Sequence, residues 1–249
     1  MFQGFYNLTS GMLTQTRKLN VISNNMANVT TPGFKEDTFT QTSFQEELMY
    51  RTGNMNKRTP EPVGNMSWKV VAGGNVTDYS DGGFSTTESP LDVCIIGSGF
   101  FRIDTGNGMV YTRNGSFSLD DEGYLYLSGV GRVQGENGPI QLMTDQIYID
   151  SDGTVCDGNT GQSLGRITLA DFTDYQTQLE KTAGNVFTAN VQPQQAQGTL
   201  RQKALEDSNV DAISEMTDMM TSQRALQSAA QVLQMYDKLT AKIVEIGPA

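Results

Sequence analysis

Apolar positions at the two ends of the chain recur at helical spacing, and between them the period changes to two. Thr199 to Ile246 contains neither Gly nor Pro. Within it Ile213, Met216, Met219, Met220, Leu226, Ala229, Leu233, Tyr236, Leu239, Ile243 and Ile246 step mostly by three and four, the mark of one helix face. Ser208-Asn209-Val210-Asp211 suits a helix start, and Lys238 and Lys242 sit where the helix dipole favours positive charge. A helix from Val210 to Ile246 would be about 55 Å long at 1.5 Å per residue. At the other end Phe5, Leu8, Met12, Gln15, Leu19, Ile22, Met26 and Val29 alternate steps of three and four. That is a heptad seam, too short to be stable alone in water. Two such helices at opposite ends of one chain most simply pair with each other or with copies from neighbouring chains. Two ordinary surface helices on one globular core is the other reading.

The first helix should stop at Thr31-Pro32-Gly33, where Pro biases Thr31 out of helical geometry and Gly supplies a positive φ. Phe39–Tyr50 reads as a short helix or an extended arm, 53–66 as a loop, and Trp68–Ala72 and Asn75–Tyr79 as strand pieces broken by glycines. From Leu91 to about Asp171 short β runs are bounded by turn residues: 93–96, 100–103, 109–112, 116–119, 124–127, 147–149 and 166–169. Segments 118–125 and 149–155 look alike, each a strand, an acidic turn ending in Gly, and a strand, so they predict repeated hairpins. Gln192–Gly198 reads as a polar linker. The predicted fold is therefore α+β: long N- and C-terminal helices pairing as a coiled coil, with a central antiparallel all-β domain. The expected divisions are 1–35 (first helix), 36–90 (arm and loops), 91–191 (β domain), 192–208 (linker) and 209–249 (last helix).

Composition narrows the function. The chain has 249 residues, net charge −11 and no histidine. Acidity without any basic cluster longer than two residues makes nucleic acid and anionic membranes poor partners. No apolar run is long enough to span a bilayer, and the first residues lack the layout of a cleavable signal peptide. Absence of histidine removes the Ser-His-Asp triad, Cys-His catalysis and the usual zinc sites. Asp150-Ser151-Asp152-Gly153 resembles a calcium loop, but its Gly and its twelfth position do not fit an EF-hand. Gly97-Ser98-Gly99 continues to Arg102, so the dinucleotide fingerprint fails. Asp120, Asp121 and Glu122 sit adjacent on a turn, where nothing apolar would raise a carboxyl pKa for acid catalysis. Neither a catalytic residue, a cofactor nor a metal is expected. Cys94, in an apolar strand, reads as a buried free thiol, and Cys156 lies far from it in sequence; a disulfide between them, formed outside the cytoplasm, is the other reading.

Three runs resemble one family. Asn24-Asn25-Met26-Ala27-Asn28-Val29-Thr30-Thr31-Pro32-Gly33-Phe34-Lys35 is similar to the signature of the bacterial flagellar rod and hook axial proteins. Glu206-Asp207-Ser208-Asn209-Val210-Asp211, with Glu215-Met216, Met219, Gln223-Arg224 and Asp237, resembles their terminal motif. Leu91–Phe101 and Tyr111–Ser118 resemble the middle-domain motifs of the two related basal-body rod proteins, proximal and distal. The resemblance implies a structural subunit of the flagellar basal-body rod, which self-assembles through its terminal helices into the shaft that carries torque from motor to hook. It implies export without a cleaved signal peptide, a place in the basal body outside the cytoplasmic membrane, and partners among rod and hook subunits, the export apparatus, and cell-wall or ring proteins. The expected assembly seam is Phe5, Leu8, Met12, Leu19, Ile22, Met26 and Val29 with Ile213, Met216, Met220, Leu226, Leu233, Tyr236, Leu239 and Ile243. The motif residues are Asn25, Asn28, Thr31, Gly33, Phe34, Ser208, Asn209, Val210 and Asp211. Because Asn is a mediocre helix former, Asn24, Asn25 and Asn28 suit packing between helices better than a free surface. The rival classes are a secreted cell-wall carbohydrate-active enzyme, which needs two separated carboxylates in a cleft, and a surface adhesin with a helical stalk.

Overall fold

A computed structural model describes residues 2–43, 46–51, 61–67, 70–142, 144–182 and 184–246. The loop expected at 53–60 and the strand residue Trp68 lie outside them. The chain divides into two units. One holds residues 1–26, 37–76 and 212–249, and the other holds 27–36 and 77–211.

The first unit is built on two helices, α1 (Phe2–Ala27) and a long C-terminal helix (Ala212–Ile246). It also has two two-stranded ribbons, Asp37–Ser43 with Val70–Thr77 and, antiparallel, Glu46–Arg51 with Glu61–Ser67. Helix α1 ends on schedule at the Asn28–Thr31 turn, so Val29, the last seam position, lies beyond it. The arm is extended rather than helical, and 61–66, expected as loop, is strand. The Pro and Gly that suggested a loop there are tolerated in an isolated two-stranded ribbon, in which each strand has an unpaired edge.

In the second unit every strand pairing is antiparallel. Its main sheet runs in the order Leu179–Thr182, Val186–Ala189, Met109–Thr112, Phe100–Asp104, Gly131–Gly135, Leu125–Leu127 and Phe117–Leu119. Leu169–Asp171 pairs with Phe100 and Phe101, and a three-stranded sheet contains Ile147–Ile149, Thr154–Asp157 and Ser163–Arg166. A four-residue helix, α2 (Tyr175–Gln178), precedes Leu179, and the C-terminal helix is α3. The central strands are buried on both faces, Val93–Ile95 and Phe100–Phe101 completely, which is why they read as apolar runs rather than clean alternations. Phe100, Tyr79, Phe172, Tyr175 and Phe187 form an aromatic cluster with ring centroids 5.2 to 6.4 Å apart.

The two similar segments are indeed repeated hairpins. Gly123 and Gly153, at φ +80° and +91°, each donate N–H to the carbonyl of the Asp three residues earlier. Each also offers its own carbonyl to a backbone N–H further along the chain, Gly123 to Leu142 at 2.6 Å and Gly153 to Ile167 at 2.8 Å.

The stretch 192–208, expected as a linker, instead carries three short strands. Gln194–Gln195 pairs with Ala170 and Asp171, Thr199–Gln202 with Val93–Ile96, and Ala204–Glu206 with Phe84–Thr86. Leu200, Ala204 and Glu206 are buried while Arg201 and Lys203 are exposed. That alternation has a period of two, hidden because one inward position is a carboxylate. Cys94 is buried and Cys156 half-buried, both as free thiols.

Candidate functional site

Gly33, Phe34 and Asn209, motif residues of the two chain ends, meet inside the β unit. Gly33 adopts φ +65°, and its N–H donates to Glu206 O at 2.7 Å. A Cβ on Gly33 would lie 2.4 Å from the Arg113 carbonyl carbon, so only glycine lets the two backbones approach. Phe34 O accepts from Asn209 N–H (3.4 Å), and Glu36 N–H donates to Asn209 Oδ1 (2.7 Å). Asn209 Nδ2 in turn reaches Asp78 O and Ser80 O. Lys181 closes the other side of this segment: its Nζ lies 4.0 Å from the Phe34 ring centroid and donates to Lys35 O at 2.6 Å. Asn185 Nδ2 donates to Pro32 O (3.3 Å). Thr31 turns the chain through its hydroxyl, which donates to Asn28 Oδ1, and Ser208 Oγ accepts the Val210 N–H.

At the centre of this junction are charges that hydropathy reasoning would put outside. Lys35 and Glu206 are each 1% exposed, and Arg113 is buried with them. Lys35 Nζ donates to Glu206 Oε1 and to Ser80 O, both at 2.6 Å. Arg113 donates to Glu206 Oε2 (3.2 Å), Asp81 Oδ1 (3.3 Å) and Gly97 O (2.9 Å), with its guanidinium 5.2 Å from the Phe100 ring centroid. Gly82 N–H adds a third donor to Glu206 at 3.3 Å. Burial pushes the Lys35 ammonium below its ordinary range, opposed mainly by the charge of Glu206. A buried carboxylate held by two cations and a backbone N–H binds three remote segments, 33–35, 81–113 and 206, into one arrangement. Lys35, Arg113 and Glu206 stand inside the recognised runs, but nothing in their spacing marks them as buried. Asp81 and Lys181 carried no sequence signal.

The helical unit has a smaller polar junction. Asn25 is buried in α1. Its Nδ2 donates to Asp37 O (2.9 Å) and to Glu215 Oε1 of α3 (2.8 Å), and its Oδ1 accepts Asp37 N–H (3.2 Å). Lys18 pairs with Asp218 at 2.9 Å. Ile22 is buried, Leu8, Met12, Leu19 and Met26 are half-buried, and Phe5 is exposed. The most buried line of α1, Thr14, Ile22 and Asn25, lies about a quarter turn from the centre of the heptad seam at ~100° per residue.

Helix α3 has two apolar faces, and the periodic stripe mixes them. Met219, Leu226, Ala229, Leu233 and Tyr236 are half-buried beside the buried Glu215 and Ser222. Ile213 (78% exposed), Met216, Met220 and Met235 fall on the opposite face, with Leu239 and Ile243 exposed toward the end. Val210 is buried before the helix, and Asp211 immediately precedes its first residue.

The Asp120 and Glu122 carboxylates of the 120–122 turn are held by Arg132, and Asp120 also by a backbone N–H. The backbone N–H of Glu122 and the Arg132 guanidinium hold Asp120 below the usual carboxylate range, the reverse of what acid catalysis requires. Arg132 also pairs with Glu122 (2.8 Å) and stacks over Tyr124 (4.2 Å).

Comparison with known proteins identifies the relatives of the chain. Residues 5–35 match the family described as Flagella basal body rod protein. Residues 94–156 match the Flagellar hook protein FlgE/F/G D1 domain, and 201–246 the Flagellar basal body rod FlgEFG protein C-terminal region. The matches to the two ends contain Gly33, Lys35 and Glu206, and that to the middle contains Arg113. Flagellar basal-body rod protein FlgG of Bacillus subtilis (strain 168) is 32% identical over 99% of each chain. FlgG of Caulobacter vibrioides is 34% identical over 95% of this chain and 96% of its own. FlgF of the same organism is 29% identical over 98% of each chain. Neither the cell-wall enzyme nor the adhesin reading finds support among these relatives. With its two ends, its middle and nearly its whole length matched in order, the chain belongs to the flagellar basal-body rod protein family.

Proposed function

We propose that this structural rod subunit is built into the flagellar basal body through its terminal helices, α1 and α3 pairing as a coiled coil whose remaining apolar faces are covered by neighbouring subunits. The observation that carries the reading is the second apolar face of α3, opposite the face that holds Glu215 and Leu233. Ile213, Met216, Met220 and Met235 on that face, and Leu239 and Ile243 toward the end of the helix, are each more than half exposed. Covering such side chains is worth roughly 1–1.5 kcal/mol each, on the order of 6–9 kcal/mol per subunit before the cost of association. A head-to-tail contact of this kind generates an open helical array, the shaft that transmits torque to the hook. Before assembly the helices lack that stabilisation and suit passage through an export channel without cleavage of a leader, as in coupled folding and binding. Its partners are then further copies, other rod and hook subunits, the export apparatus and the cell-wall or ring proteins that surround the rod. Among the described residues no helix is long and apolar enough to cross a membrane.

The test is incorporation. Met216→Asp on the exposed face and Leu233→Asp on the half-buried one should leave the β unit folded by near-UV circular dichroism while the subunit disappears from isolated basal bodies. Normal incorporation of both variants would refute the seam.

A further inference from the structure

The face of α3 turned away from Glu215 and Leu233 carries sulfur. Among the described residues three methionines are more than half exposed, Met216 (57%), Met220 (51%) and Met235 (56%), and all three stand on this helix. At ~100° per residue they fall within about 100° of one another, with Ile213 among them. Met12, Met26, Met109 and Met219 are half-buried.

Exposure decides how a thioether reacts, because an oxidant in water reaches a surface sulfur far faster than a packed one. With hydrogen peroxide the balance is simple. A lone pair of the methionine sulfur attacks one peroxide oxygen, the S–O bond forms and the O–O bond breaks. A proton moves to the departing oxygen, and water leaves. Sulfur is oxidised by two electrons and the peroxide is reduced. The product is a polar, chiral sulfoxide in place of a flexible apolar side chain, and reductases specific for it reverse the change. Ile213, Leu239 and Ile243, exposed on the same helix, supply apolar area without this chemistry.

We propose that Met216, Met220 and Met235 form a peroxide-sensitive modification site of the unassembled chain, and that their sulfoxides bar the subunit from the rod until they are reduced. The oxidation rests on exposure alone, and its effect on incorporation rests on the assembly reading above. A sulfoxide brings a strong acceptor into a contact that is otherwise apolar. Burying it unpaired weakens association by roughly 5- to 100-fold for each residue oxidised. In the free chain the same oxygens stay in water, so the fold itself loses nothing. Once neighbours cover the face, the sulfurs are out of reach.

The experiment treats the purified full chain and isolated basal bodies with hydrogen peroxide and follows the gain of oxygen by peptide mass spectrometry. In the free chain Met216, Met220 and Met235 should react roughly 10-fold faster than Met12, Met26, Met109 and Met219, with no change in melting temperature. In basal bodies that preference should be lost. Cells whose sole copy is either the native chain or one carrying Met216→Leu, Met220→Leu and Met235→Leu together are then grown with and without peroxide. Leucine keeps the apolar area and cannot be oxidised, so peroxide should lower incorporation of the native chain roughly 5- to 100-fold relative to the variant. Within the native chain, incorporated copies should carry fewer of these sulfoxides than the unassembled pool, a comparison that does not need the variant. Uniform oxidation of the free chain, a fall in its melting temperature, equal loss of both chains, or the same sulfoxide content in both pools overturns the site. Met216→Asp separates the two readings. If it incorporates normally, the assembly reading has failed; if it is excluded while peroxide leaves the native chain level with the leucine variant, this inference alone falls.

Discussion

Glu206→Gln removes one charge from the buried junction and almost no volume, which isolates the electrostatic contribution. In the native chain Glu206 accepts from Lys35 Nζ, Arg113 NH1 and Gly82 N–H. The amide can still accept one of these but neutralises neither cation, so two buried positive groups face each other across a neutral side chain. Removing one partner of a buried pair costs about 3–5 kcal/mol, against a total stability of about 5–15 kcal/mol for a domain. For a unit of this size that corresponds to a fall in melting temperature of roughly 10 °C. Urea unfolding should be followed in the near-UV, where Tyr79 and Tyr175, which pack with Phe100, report on the β unit rather than on the helices. The pH dependence supplies a second readout. Burial already sets the folded pKa of Lys35 below its ordinary value, and the variant deletes the charge that chiefly opposes this. Between the folded and the unfolded pKa the unfolded chain binds more protons, so stability rises with pH across that window, and more steeply in the variant than in the native chain. Lys35→Met added to Glu206→Gln removes one stranded cation and should restore part of the loss, a coupling that a double-mutant cycle measures. A loss below 1 kcal/mol, or one no larger than that of the exposed neighbour Asp207→Asn, would refute the claim that this junction holds the chain ends.

Two further outcomes follow from the same unit. Burial and the hydrogen bond to Asp171 (2.6 Å) push Tyr175 up to about 12, so it should ionise after the exposed tyrosines in a tyrosinate absorbance titration. The neutral phenol is the favoured folded form, so its contribution is complete below about pH 10 and is lost between about pH 10 and 12, worth about 1–2 kcal/mol once partial exposure is discounted. Asp171→Asn should move that titration back toward pH 10, and its failure to do so would remove Asp171 as a cause. Gly33→Ala should destabilise by roughly 3 kcal/mol or more, through strain at positive φ plus the backbone displacement its Cβ demands. Gly106→Ala, at φ +77° with open space around it, should cost only the conformational part, about 1 kcal/mol; equal losses at the two glycines would mean the close approach at Gly33 is unimportant.

Much of the fold was legible because period and punctuation are local properties. The runs at 93–96, 100–103 and 109–112 and the two hairpins turned by Gly123 and Gly153 carry their signal in adjacent residues, and so do the Pro32-Gly33 turn and both helices. What was not legible depends on partners far away in sequence. The strands at 199–202 and 204–206 are read only once Val93–Ile96 and Phe84–Thr86 are seen opposite them. A carboxylate at an inward position looks like a break in the pattern until its cations are placed. The two faces of α3 merged into one stripe for a different reason. The jump from Met220 to Leu226 crosses the helix, and apolarity alone does not say which half a chain covers for itself.

The separation of tasks between the units accounts for where the polar chemistry sits. On the assembly proposed above, a subunit that offers apolar helix faces to neighbours cannot also use those faces to hold its own ends in place. Here the segments that enter and leave the helices, 33–36 and 206–209, are tied to one another inside the β unit by Gly33–Glu206, Asn209–Phe34 and the Lys35–Glu206–Arg113 charges. Apolar packing there would tolerate slippage, since it is non-directional. A carboxylate with three fixed donors does not, because any displaced register leaves a buried charge unpaired. The register of segments 33–36 and 206–209 against each other is thus set by directional bonds within the β unit. On that proposal the same ends serve a free chain with bare helices and an assembled one with those helices buried.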